Sequence, residues 1–152
     1  LWAEYSRAPE REIFMLPHWE EKIARMIDTC QDENITNLSG VPTWMVVVLE
    51  RMLEASGKKN ILELWPNLEV FLHGAVAFAP YRDVFKKMIP KSDFHYLELY
   101  NASEGFFGIQ DRPERDDMLL LLDHGVLYEF VALEDIDHPY PKALTLAQVE
   151  LH

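Results

Sequence analysis

Four side-chain types suited to a nucleotide crowd into one short stretch, Tyr100-Asn101-Ala102-Ser103-Glu104-Gly105-Phe106-Phe107-Gly108-Ile109-Gln110. The Tyr100 ring offers a face for a base, and the Ser103 hydroxyl can donate to a phosphate. Glu104 can hold Mg²⁺, a hard cation that takes oxygen ligands and completes its shell with waters and phosphate oxygens. Gly105 lets the backbone turn sharply and come close to a ligand. Each has a plainer alternative: Glu104 pairs with a local N–H, Ser103 stabilises a turn, and Tyr100 ends a core strand. The stretch reads as a nucleotide-binding loop without the rest of its machinery.

A second candidate is His73-Gly74-Ala75, which ends another apolar run. His73 either contacts substrate or is a hydrogen-bonded edge residue. Phe106 and Phe107, if extended, point to opposite sides of the chain, one into the core and one toward a pocket. Cys30 lies on the apolar stripe of a helix, which makes it a packed thiol rather than a nucleophile. The remaining histidines (His18, His95, His124, His138 and His152) show no ligand spacing with carboxylates or with Cys30. Gly-x-Ser-x-Gly, the P-loop and the dinucleotide fingerprint are absent.

The elements that position these residues follow from periodicity. Trp19, Ile23, Met26, Ile27 and Cys30 recur at helical spacing, with Glu20, Glu21, Lys22, Arg25 and Asp28 on the other face. Pro42 suits the first turn of a helix running to Ser56, with Gly57 as its C′ residue. Its run Trp44 to Leu49 is apolar nearly all round, so this helix is expected to be buried on several sides. Pro80 opens a third helix that Pro90 stops, and Asn60 to Trp65 reads as one helical turn. Strands are expected over residues 34–39, 68–73, 94–99 and 106–110, with a polar turn over 111–117. Met118–Leu122 and Val126–Val131 are expected to pair across Asp123-His124-Gly125 as a hairpin. Residues 1–16 read as a helix end and connector, and the pattern past Glu134 specifies nothing. Alternating strands and helices predict a layered α/β fold with a mixed β-sheet, as one domain over 1–152.

Composition narrows the function. A net charge of -12 and a pI near 4.8 argue against nucleic acid and against anionic membrane, both of which need basic patches. One cysteine allows no internal disulfide and is compatible with a cytoplasmic location. No stretch is apolar enough to span a bilayer, and no signal peptide is visible. The first residue is Leu1 and the last four are Val149-Glu150-Leu151-His152, so both ends are expected to be cuts through a longer polypeptide.

Tyr100-Asn101-Ala102-Ser103-Glu104-Gly105-Phe106-Phe107-Gly108 resembles the Tyr-x-x-Ser-Glu-Gly nucleotide motif of the auxin-responsive acyl-acid amido synthetases, a family of adenylate-forming enzymes. Leu38-Ser39-Gly40-Val41-Pro42-Thr43-Trp44, Leu64-Trp65-Pro66-Asn67, His73-Gly74-Ala75 and Tyr128-Glu129-Phe130 are similar to further family segments, in the family's order. The resemblance implies a central piece of the large N-terminal domain. It implies ATP and Mg²⁺, with a small carboxylic acid and an amino acid as substrates. Under it, Tyr100 packs on the adenine, Asn101 and Ala102 border the nucleotide with Gly105, Ser103 touches the α-phosphate, and Glu104 holds Mg²⁺ as the catalytic carboxylate. Gly74 and Ala75 line the adenine and acyl pocket, and Val41, His73, Phe106 and Phe107 border the acyl acid. The family's Ser/Thr/Gly-rich phosphate loop, its Tyr-Arg-x-Gly-Asp motif and its catalytic lysine are not among these residues. The piece alone is therefore expected to be inactive. Thioester transfer to coenzyme A and a non-catalytic scaffold are the alternatives.

Overall fold

The computed structural model describes residues 6–150. The chain divides into two compact units, residues 1–119 and 120–152. Each is taken by itself, and expectations that fall on residues 1–5, 151 and 152 lie outside the described residues.

The first unit opens with α1 (Arg11–Phe14) and α2 (Trp19–Cys30). Next come β1 (Asn37–Gly40) and α3 (Pro42–Ser56). After a short 3₁₀ turn at Ile61–Glu63 the chain enters β2 (Val70–Gly74). A second 3₁₀ turn at Ala79–Tyr81 leads into α4 (Arg82–Met88). β3 (His95–Ala102) and β4 (Gly105–Ile109) follow, and β5 (Leu119–Leu120) lies at the boundary between the units. The sheet order is β1-β2-β3-β4-β5. β1, β2 and β3 are parallel, and β4 runs antiparallel to β3. This is a mixed-sheet, layered α/β architecture.

Local chemistry sets the elements. Pro42 takes the first turn of α3, where its missing N–H costs nothing, and Gly57 ends the helix in the left-handed region at φ 66°. Asn60 caps the Ile61–Glu63 turn by accepting from the Leu62 N–H at 3.0 Å. Leu38, Phe71 and Tyr96 share one row across β1, β2 and β3. They pack with Cys30 of α2, Leu49 and Met52 of α3, and Phe85 and Met88 of α4. Phe71 and Phe85 stack at 4.8 Å and are fully buried. α3 is less enclosed than its sequence implies: Trp44 is 58% exposed, and its ring meets Trp19 edge-on at 5.0 Å.

In the second unit β6 (Glu129–Phe130) pairs antiparallel with β7 (Leu144–Thr145). The expected hairpin across Asp123-His124-Gly125 does not form. Its first arm supplies β5 at the edge of the five-stranded sheet, and its second arm finds β7 instead. Thr145 and Gln148 form a capping box on a 3₁₀ turn at Leu146–Gln148.

Candidate functional site

Parallel strands deliver their carboxyl ends to one edge of a sheet, where ligands of α/β folds collect. Gly40, His73 and Glu98 are in register across β1, β2 and β3, and Gly74 is in register with Leu99. Val41 follows β1 directly as the residue before α3, and Ala75 follows β2. Tyr100 and Asn101 continue β3 past the last paired residue of β2. The structure thus brings Val41, His73, Gly74, Ala75, Tyr100 and Asn101 to the same sheet edge.

The stretch read as a loop is a β-hairpin. β3 runs on to Ala102, Ala102 pairs with Gly105, and only Ser103 and Glu104 form the turn. Tyr100 pairs with Gly108 and Asn101 with Phe106, so Phe107 is an extra residue on β4, a β-bulge. The bulge redirects the side chains, and the Phe107 ring lies 5.6 Å from that of Tyr100. Phe106 and Tyr100 are exposed, Tyr100 at 56%. Ser103 and Glu104 stand in solvent at the tip.

Gly74 is fixed by close packing. A Cβ there would sit 2.4 Å from the Leu99 carbonyl oxygen and 3.3 Å from Oδ1 of Asn101. Only glycine lets the end of β2 approach β3 this closely. Ala75 then takes φ 71°, a left-handed conformation costing about 1–2 kcal/mol for a residue with a Cβ. Such strain persists only where surrounding structure enforces it.

His73 sits differently from its neighbours. It is 3% exposed, and its imidazole stacks on Phe78 at 4.2 Å and 21°. Its Nδ1 has no hydrogen-bond partner. Burial, reinforced by the Arg82 guanidinium, lowers its pKa to about 4, so the ring is neutral at neutral pH. Tyr96 is also drawn into this group, 4.9 Å from Phe78, and burial raises its phenol to about 12. Arg82 lies over Phe78 at 5.3 Å. In place of the hydrogen-bonded edge histidine expected as the alternative, His73 is packed into the aromatic core with its Nδ1 unpaired.

Two contributors escaped the sequence reading. Gln110 is buried and ties the far end of the hairpin: its Oε1 accepts from the Glu98 N–H at 2.9 Å, and its Nε2 donates to the carbonyls of Arg112 and Arg115. No motif marks such a residue. Arg82, at the start of α4, likewise carries no motif. Among the described residues no cluster of three or more His, Cys, Asp or Glu could hold a metal ion. An exposed Glu104 beside Ser103 still fits Mg²⁺, which binds through one or two carboxylates plus waters and substrate phosphates rather than in an all-protein cage. A separate cavity of about 710 Å³ runs beside β1, lined by Cys30, Leu38, Met45, Leu49, Met52 and Trp65 among others.

The chain is thus a layered α/β domain with a strained turn and an exposed hairpin at one sheet edge. Residues 1–94 match the GH3 family N-terminal domain. That is more than half of the chain, which therefore belongs to the GH3 family, the auxin-responsive acyl-acid amido synthetases whose motifs it resembles. The matched span contains Val41, His73, Gly74 and Ala75, and the Tyr100–Gly105 hairpin lies after it. No curated protein matches the chain.

Proposed function

We propose that this chain forms one wall of the ATP, Mg²⁺ and acyl-acid site of an amido synthetase. The reaction runs in two steps. A carboxylate attacks the α-phosphorus of ATP, releasing pyrophosphate and giving an acyl-adenylate. An amino acid amine then attacks the acyl carbon, and AMP leaves with the former carboxylate oxygen. Activation is needed because an oxide is a poor leaving group from a carboxylate and AMP is a good one.

The observation that carries this reading is the convergence of the Gly74-Ala75 turn with the Tyr100–Gly105 hairpin at one sheet edge. Tyr100 packs on the base, Gly74 and Ala75 flank it, and the Asn101-Ala102 backbone borders the nucleotide with Gly105. Ser103 donates to the α-phosphate, and Glu104 holds Mg²⁺, which neutralises charge as two anions meet. Val41, Phe106 and Phe107 border the acyl acid. His73 supports that wall from within the aromatic core rather than by touching substrate. The net charge of -12 fits small-molecule partners rather than nucleic acid. No helix of the described residues is long and apolar enough to cross a membrane. The reading places the enzyme in the cytoplasm.

The phosphate loop, ribose aspartate and catalytic lysine of the family are not among these residues, so the 152 residues alone turn over no substrate. The test uses the full-length enzyme with a panel of carboxylic acids. ATP–pyrophosphate exchange is expected, and Glu104→Gln should cut it at least 100-fold. Unchanged Mg²⁺-dependent exchange would remove Glu104 from the site. A thioester product in place of an amide would reassign the acceptor to coenzyme A.

A further inference from the structure

Gln110 holds more of the hairpin than its place just past β4 requires. Its backbone N–H donates to the Glu98 carbonyl at 2.8 Å, as in an ordinary antiparallel pair. The return bond is different: the Glu98 N–H donates at 2.9 Å to Oε1 of the Gln110 side chain. The carboxamide stands in for the backbone carbonyl that a continuing ladder would supply, so the chain can leave β4 without orphaning a donor on β3. The other end of the carboxamide works outward. Nε2 donates to the Arg112 carbonyl at 3.4 Å and to that of Arg115, gathering the turn that follows β4. Arg115 closes that turn on Asp117 through Nε at 2.7 Å. The chain then returns along the outer side of β4. There the Leu119 carbonyl oxygen lies 3.5 Å from where a Gly108 Cβ would be, and the Tyr100 Cβ lies 3.7 Å from the same point. One side chain, 8% exposed, thus ties β3, β4 and the approach to β5 at the foot of the hairpin. The tip has no such anchor: Ser103 and Glu104 are exposed and make no side-chain hydrogen bond among the described residues. Where the tip points is decided at the foot.

We propose that Gln110 is a positioning residue for adenylation. It sets the angle of β3 and β4 from below, and so aims Tyr100, Ser103 and Glu104 at the nucleotide without touching it. The proposal rests on the adenylation reading above. Alignment of that kind matters steeply, since a misplacement of about 1 Å costs about 100-fold in rate.

The test uses the full-length enzyme and two variants. Gln110→Met keeps the length of the side chain and removes its three hydrogen bonds. Gln110→Glu keeps the acceptor for the Glu98 N–H and sets a carboxylate against the two carbonyls of the turn. Pyrophosphate exchange is measured against ATP concentration, on protein whose circular dichroism matches that of the wild type. Both variants should raise the KM for ATP and lower kcat/KM by at least about 10-fold. Amide exchange should quicken in residues 98–106 and stay as in the wild type in β1 and β2. A loss confined to kcat at unchanged KM, with amide exchange quickened across the whole sheet, would make Gln110 a structural residue only and overturn the proposal while adenylation stands. Should Gln110→Met fail to fold, Gln110→Glu decides by the same two readouts. If the wild type exchanges no pyrophosphate with any acid, the adenylation reading falls and takes this one with it.

Discussion

His73 and Tyr100 lie near the carboxyl ends of neighbouring parallel strands, yet their surroundings are opposite. His73 is enclosed by rings, and burial weakens its hold on a proton. Tyr100 is more than half exposed, and among the described residues the one ring it meets is Phe107. The difference comes from the neighbours: β2 lies between two parallel strands, whereas β3 outruns it and continues with β4 alone. An inner strand end builds the scaffold, and the strand that overshoots carries the groups a ligand can reach. Substitutions on the two sides should therefore separate stability from binding.

The largest effect should come from the scaffold. Phe71→Ala removes a fully buried ring stacked on Phe85 and is expected to cost about 3–5 kcal/mol in urea unfolding. A cost below 1 kcal/mol would mean that the aromatic cluster does not hold the sheet.

Acid should act next. The folded imidazole of His73 binds a proton less tightly than the unfolded one, so its contribution is complete above pH 6.5 and is lost as pH falls toward 4. The loss amounts to about 3 kcal/mol for a shift of this size. His73→Phe should flatten that part of the stability-against-pH curve. An unchanged slope would place the titration elsewhere.

Gly74→Ala tests the hinge between the two regions. A methyl group 2.4 Å from the Leu99 oxygen must push β2 and β3 apart, at about 1–3 kcal/mol. If the hairpin is seated by this contact, amide exchange in Tyr100–Gly105 should accelerate along with the loss of stability. The smallest effect belongs to the tip: Glu104→Gln should change stability by no more than about 0.5 kcal/mol, because the side chain stands in solvent. A larger change would show that Glu104 serves the fold.

The helices and inner strands were legible because each carries its own periodicity and punctuation. Pro42 and Gly57 mark α3, and the stripe from Trp19 to Cys30 marks α2. What failed was pairing. Alternation identifies a strand without naming its partner, so the Gly125 turn signal was read as a hairpin while Phe130 pairs with Leu144. The converse error fell on Tyr100 to Gln110. A two-residue turn of Ser103 and Glu104 lacks the Asn-Gly or Asp-Gly signature, and nothing in the sequence announces that β3 continues. The motifs name Val41, Gly74, Ala75, Tyr100 and Asn101 one stretch at a time, and the strand register sets them at one end of the sheet. The burial of His73 was not, since it depends on Phe78 and Arg82 folding back over the strand.

One buried contact gives the molecule an optical reporter. The Trp65 indole donates to the Cys30 carbonyl at 2.9 Å, and the ring is 3% exposed. Trp19 and Trp44 face water at the same time. Emission from Trp65 should lie to the blue of theirs and resist quenching by iodide. Loosening of the end of α2 would then appear as a red shift in that one component.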